Sequence, residues 1–260
     1  SEMQAAKKAK VIGTAKSPCD FFDPELNTAF WVFPNDRKLS NLGVLTDIPN
    51  NLARVPARVW KRSRLAAYAP EKCATAQCLD DSGETIAYAK VFAGDEGRRI
   101  YDLYKNLNSE EISLPQALAY SEVQRTLLLQ AIPGERLADL NSDDSGDVYR
   151  KFGVAVASLH RTRPSAELRP FERLSSVELP FAYQTIARAI PKDALQAARI
   201  LEGLTAFSYQ PGPDVCLHGD LHAKNAIWND GELTLIDLDQ VSVGEAAMDI
   251  GSFLSGLHYK

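Results

Sequence analysis

Residues 215–240, VCLHGDLHAKNAIWNDGELTLIDLDQ, constrain this chain more than any other stretch. Asn225 follows Asp220 of His218-Gly219-Asp220 by five residues, and Asp237 ends an apolar run further on. The same stretch dictates local structure. Val215-Cys216-Leu217 is a short apolar run leading into a loop. Ala226-Ile227-Trp228 and Leu233-Thr234-Leu235-Ile236 flank Asn229-Asp230-Gly231, a strong hairpin turn signal. Antiparallel pairing across that turn brings Asn225 and Asp237 to the same end, and two oxygen donors there suit Mg²⁺. Phosphoryl transfer needs such a set. One carboxylate, Asp220, meets the acceptor hydroxyl, while an amide oxygen and a second carboxylate hold the metal on the nucleotide phosphates.

The order H-x-D-x-x-x-x-N…D is that of a kinase catalytic loop followed by its metal-binding Asp. An isolated loop Asp is usually a turn or cap residue, but the joint spacing with strand and turn signals in place argues against that here. A second reading takes His218, Asp220 and His222 as transition-metal ligands on one side of an extended chain. Gly219-Asp220-Leu221-His222 also resembles a metallophosphoesterase loop. Such an enzyme needs further Asp and His clusters, and the remaining histidines, His160 and His258, lie in none.

HGDLHAKN, then LIDLD, then Ala247-Met248-Asp249-Ile250-Gly251 are together similar to the aminoglycoside phosphotransferase and choline kinase family, small-molecule relatives of protein kinases. The resemblance implies a bilobal protein-kinase-like fold and an ATP- and Mg²⁺-dependent transfer to a hydroxyl of a small molecule, whether sugar, aminoglycoside-like compound or amino alcohol. It implies Asp220 as catalytic base, Asn225 and Asp237 as Mg²⁺ ligands, Asp249 as a structural carboxylate and His218 as a brace. Asp239 sits where some members carry a second acidic residue.

A kinase also needs a lysine on a strand to reach the phosphates. Thr85–Phe92 supplies Lys90 inside an apolar β run, preceded by the turn Asp80-Asp81-Ser82-Gly83 and the strand candidate Cys73–Leu79. A buried charge is costly without a partner, and on an edge strand such a lysine can simply snorkel to solvent; with Asp220, Asn225 and Asp237 downstream, Lys90 reads instead as the phosphate-contacting lysine. The helix expected from about Asp95 to Leu107, with Ile100, Leu103, Tyr104 and Leu107 on one face, offers Glu96 and Asp102 as its acidic partner. The phosphate-covering position, Arg64 to Pro70, contains no glycine. Arg125–Ile132 reads as a strand ending in Pro133-Gly134-Glu135-Arg136-Leu137. That resembles the family's hinge, which implies that backbone groups of Gln130, Ala131 and Ile132 meet the adenine edge.

At 260 residues and 45% apolar the chain can bury a substantial core. Its net charge of −5 argues against phosphate-backbone binding, and thus against a nucleic-acid partner. Cys19, Cys73, Cys78 and Cys216 form no C-x-x-C pair; they read as reduced core residues of a cytoplasmic protein. No apolar stretch approaches the ~20 residues needed to cross a bilayer, and no signal-peptide pattern opens the chain.

A strand-rich first half and a helix-rich second half, with helices at Asp147–His160, Pro180–Ile190 and Ala194–Phe207, give an α+β class. The division expected is an N-terminal extension (1–55), a nucleotide-binding N-lobe with hinge (56–132) and a catalytic C-lobe (133–260). The extension carries a hairpin candidate, Ala29–Phe33 with Leu39–Leu45 around Pro34-Asn35-Asp36. Family members continue with more helices than follow Asp249 here, so the expectation is a truncated form or a minimal large lobe. The rival reading is a nucleotide-binding pseudokinase acting as scaffold or sensor.

Overall fold

A computed structural model describes residues 15–55, 58–107, 112–140, 145–162, 168–171, 178–206 and 212–257. In chain order it opens with β1 (Phe21–Asp23), β2 (Thr28–Phe30), a single helical turn α1 (Asn50–Ala53), β3 (Arg54–Val55) and β4 (Arg58–Val59). Then come β5 (Arg62–Ala69), β6 (Cys73–Leu79), β7 (Thr85–Phe92), α2 (Glu96–Leu107), β8 (Ala117–Ser121), β9 (Thr126–Gln130) and β10 (Glu135–Arg136). The rest comprises α3 (Ser145–Arg161), α4 (Glu178–Ala189), α5 (Ala194–Ala206), β11 (Asp214–Leu217), β12 (Ala226–Asn229), β13 (Glu232–Leu235), β14 (Ser242–Glu245) and α6 (Ala246–Leu257). Among the described residues no helix is long and apolar enough to cross a membrane.

The chain forms two compact units. The first comprises the described parts of 1–155 together with 224–239. Its centre is an antiparallel five-stranded sheet in the order β5-β6-β7-β9-β8. Alternation along β6 and β7 decides which face is covered. Ala74, Ala76, Cys78, Ala87, Ala89 and Val91 are all buried, and they pack under Leu39, Leu42, Val44, Leu45, Leu52, Val55 and Trp60. The small strand side chains leave room for this layer of large ones, as close packing requires. Trp60 is 1% exposed, and its indole N–H donates to the Arg62 carbonyl at 3.0 Å. Truncating it to Ala would cost about 3–5 kcal/mol. Lys90 has the opposite parity on β7 and points away from this core.

The N-terminal hairpin differs from expectation. β1 pairs with β2, whereas Leu42–Leu45 is a 3-10 turn. Pro34 has no N–H to give a ladder, and Asp36 accepts the N–H groups of Lys38 and Leu39, which turns the chain where a second strand was expected. β12 and β13 form the hairpin read from Asn229-Asp230-Gly231, with Asn229 opposite Glu232 and Ala226 opposite Leu235. Asp230 (φ 45°) and Gly231 (φ 93°) are both left-handed, the geometry a type I′ turn demands. β10 adds to the other edge of β12. Gly134 makes that possible, since a Cβ at its φ of 117° would run into the Trp228 carbonyl.

The second unit comprises the described parts of 156–223 together with 240–260. β11 and β14 pair antiparallel, and α6 packs on both strands. α4 and α5 lie against each other, but Phe181, Leu195, Ile200 and Leu204 stay exposed. The four cysteines are free, and burial pushes the Cys216 thiol up to about 11 and Cys78 up to about 12.

Candidate functional site

In the first unit the β12–β13 hairpin brings Asn225 and Asp237 to one end, as its sequence predicts. Ile236 N–H donates to the Asn225 carbonyl at 2.9 Å, closing the ladder between them. Asp237 then leaves the strand in the left-handed region, at φ 62°. Such a conformation costs roughly 1 kcal/mol or more for a residue with a Cβ and is held only where its surroundings demand it.

Those surroundings are Lys90 and α2. Lys90 Nζ donates to Asp237 Oδ1 at 2.9 Å and also pairs with Asp239. Tyr104 Oη accepts the Leu238 N–H at 3.2 Å, and Arg99 Nη2 donates to the Asp239 carbonyl at 3.1 Å. Thus α2 fixes the backbone that carries both carboxylates. Burial works against the Lys90 charge, but Asp239 and Asp237 outweigh it and hold the ammonium well above its ordinary value. Burial likewise raises the Asp239 carboxyl; Lys90 opposes this and Asp237 adds to it.

The acidic partner of Lys90 is therefore not on the helix. Glu96 turns back beside Gly94, and Asp102 accepts from Arg98 Nε at 2.9 Å. Asp239 takes the position instead. The sequence marks Asp239 as an acidic position of the family but carries no local signal that pairs it with Lys90, and none for Arg99.

At the expected hinge, Gln130 ends β9 and its N–H donates to the Gln116 carbonyl at 2.9 Å. Ala131 and Ile132 follow outside any strand. Gln130 and Ala131 also line a cavity of about 350 Å³ with Arg58, Ile86 and Gln116, to which Lys90 does not contribute.

In the second unit the loop holding Asp220 is built around Asp249. That carboxylate is 1% exposed; its Oδ1 accepts the Gly219 N–H at 2.9 Å, and its Oδ2 accepts the His218 N–H at 2.8 Å and lies 2.8 Å from His160 Nε2. Gly219 has φ 81°, and a Cβ there would overlap the Gln240 carbonyl. Only glycine fits. Asp220 emerges from this braced loop half-exposed, with His222 Nε2 at 3.6 Å from its Oδ2. Among the described residues no group of three or more His, Cys, Asp or Glu side chains is placed to hold a metal.

The chain matches the model of the phosphotransferase enzyme family over residues 89–259, well over half its length. No curated protein matches it. Solved structures share its fold. A thermostable mutant of aminoglycoside phosphotransferase APH(4)-Ia is 13% identical with a TM-score of 0.59, over 77% of this chain and 74% of that one. The streptomycin–ATP complex of APH(2")-IIa is 17% identical with a TM-score of 0.52, over 76% and 73%. Macrolide 2'-phosphotransferase MphH from Brachybacterium faecium is 18% identical with a TM-score of 0.51, over 83% and 82%. The chain therefore belongs to the phosphotransferase enzyme family and is a kinase of that family, with its α+β fold.

Proposed function

We propose that this enzyme moves the γ-phosphate of ATP to a hydroxyl of a small molecule, with Mg²⁺ on the nucleotide phosphates. The observation that carries the reading is Lys90, the buried strand lysine, held between Asp237 and Asp239 at the end of the hairpin that also carries Asn225.

The donor set fits a hard cation. Asn225 and Asp237 offer only oxygen, the Asp237 side chain is 45% exposed, and a second carboxylate, Asp239, is at hand. Few protein ligands are what Mg²⁺ takes when phosphate oxygens and water complete its shell. Bound by Asn225 and Asp237, it would neutralise charge on the phosphates during transfer. Lys90, released in part from its carboxylates, binds phosphate oxygens. Backbone groups of Gln130, Ala131 and Ile132 meet the adenine edge. Asp220 accepts a hydrogen bond from the acceptor hydroxyl, aims its oxygen in line with the γ-phosphorus and takes the proton as the new O–P bond forms and ADP leaves. Most of the rate comes from positioning and charge neutralisation.

The acceptor is a sugar, an aminoglycoside-like compound or an amino alcohol. The net charge of −5 favours cationic acceptors through long-range steering. The free cysteines fit a cytoplasmic setting.

Asp220→Asn tests the base. Turnover should fall by roughly a hundredfold or more, while calorimetry should find the Mg·ATP affinity within about twofold of wild type. Undiminished turnover would remove Asp220 from that role. ATP binding without turnover on any hydroxyl acceptor would favour the pseudokinase.

A further inference from the structure

Asp36 is a buried carboxylate, 3% exposed, for which the mechanism above has no use. Its Oδ1 accepts the N–H groups of Lys38 (2.7 Å) and Leu39 (2.8 Å), closing its own turn. Its Oδ2 reaches across to a different element. It accepts the Tyr68 hydroxyl at 2.5 Å and the Glu71 N–H at 3.0 Å. Tyr68 is the next-to-last residue of β5 and Glu71 lies in the link to β6; the glycine-free stretch expected to cover the nucleotide phosphates, Arg64 to Pro70, runs into that link.

Other contacts join the same two segments. Arg37 pairs with the Glu71 carboxylate, donating from Nε at 2.6 Å, and Lys38 lies 3.3 Å from it. Phe33 packs edge-on against Tyr68 with ring centroids 5.6 Å apart. Glu71 is held at φ 65°, a conformation glycine would take freely. The link lies at the Lys90 end of the sheet. Thr75 on β6 is opposite Lys90, Cys73 is opposite Phe92, and Ala93 N–H donates to the Lys72 carbonyl at 2.9 Å.

We propose that residues 33–38 form a strap that holds the β5–β6 link in place over the ATP phosphates, with Asp36 as its positioning residue. The inference rests on the nucleotide reading above and gives the N-terminal extension a role in it. A glycine-rich loop must be ordered when the nucleotide binds, at an entropic cost. Here the link carries no glycine and is ordered beforehand by hydrogen bonds from outside the sheet. Loosening the strap should weaken the hold on the phosphates and leave adenine recognition at the hinge alone.

The test is calorimetric binding of Mg·ATP and of adenosine to wild type, Asp36→Asn and Tyr68→Phe. Asn at position 36 can still cap Lys38 and Leu39 with its oxygen, but its amide nitrogen then stands where Oδ2 was and accepts neither the Tyr68 hydroxyl nor the Glu71 N–H. Tyr68→Phe removes one hydroxyl and leaves every backbone bond of Asp36, so it decides the matter if Asp36→Asn fails to fold. Both variants should bind Mg·ATP about five- to tenfold more weakly, with adenosine affinity within about twofold. Unchanged Mg·ATP affinity, or equal losses for ATP and adenosine, would overturn the strap. Failure of the wild type to bind Mg·ATP would overturn the nucleotide reading itself, and the strap with it.

Discussion

Lys90 Nζ lies 2.9 Å from Oδ1 of Asp237, 147 residues further along the chain, so the expected phosphate-binding cation and the expected metal ligand hold each other. Their charges are mutually neutralised until something brings both phosphate and a divalent cation.

Lys90→Met would leave Asp237 and Asp239 facing each other without a cation. Turnover should fall by about a hundredfold or more, the scale of losing one electrostatic contact to transferring phosphate. Stability should fall too, and more at pH 7 than in acid. Burial raises the Asp239 carboxyl above its ordinary value, so the penalty should shrink as the pH falls and that group takes up its proton. Thermal unfolding of wild type and variant at pH 7 and pH 3.5 checks the difference. A penalty independent of pH would mean that the lysine stabilises by packing alone.

Asp249 serves the Asp220 loop through hydrogen bonds rather than through contact with substrate. Removing it leaves the buried N–H groups of His218 and Gly219 without their acceptor. Asp249→Ala should therefore cost roughly 3–5 kcal/mol in urea unfolding, and Asp249→Asn about 1–2 kcal/mol, since the amide oxygen replaces one acceptor.

Two glycines of the second unit should respond in opposite directions. Gly219→Ala must adopt a left-handed conformation and meet the Gln240 carbonyl, so it should destabilise by about 2 kcal/mol or more. Gly251, inside α6, has open space around it, and Gly251→Ala should stabilise by about 0.5–1 kcal/mol. Paired denaturation curves test both signs.

What could be read from sequence follows the range of the interactions. The β12–β13 hairpin was legible because Asn229-Asp230-Gly231 is a local signal, and α2 because Ile100, Leu103, Tyr104 and Leu107 recur at helical spacing. β14 was not: Ser242-Val243-Gly244-Glu245 has no strand pattern of its own and is a strand through pairing with β11. Asp239 as partner of Lys90 was not legible either, since it depends on how β7 and the segment after β13 meet. The N-terminal hairpin was misplaced because β1 and β2 reverse through Asp23, whose Oδ1 accepts the N–H groups of Glu25 and Leu26, a side chain that competes with strand pairing for backbone N–H groups.

Asp36 also sets an acid limit. Burial raises its carboxyl, but the Tyr68 hydroxyl and the amides of Leu39, Lys38 and Glu71 more than offset this and leave it below the usual carboxylate value. A depressed folded value means stability that is fully present above the unfolded value near pH 4 and lost as pH falls through the folded one. Asp36→Asn should be less stable than wild type at pH 6 and should lose less stability between pH 6 and pH 3. Parallel losses in the two proteins would count against this linkage.

The proposed phosphoryl transfer requires a Mg·ATP site built on Asp237. Its most direct test is thermal unfolding with and without Mg·ATP, for wild type and for Asp237→Ala. Nucleotide at a hundred times its Kd should add about 2.7 kcal/mol, a readily visible rise in Tm for wild type that depends on Mg²⁺ and is absent in Asp237→Ala. No rise in wild type, or an equal rise in both proteins, would contradict the site described here.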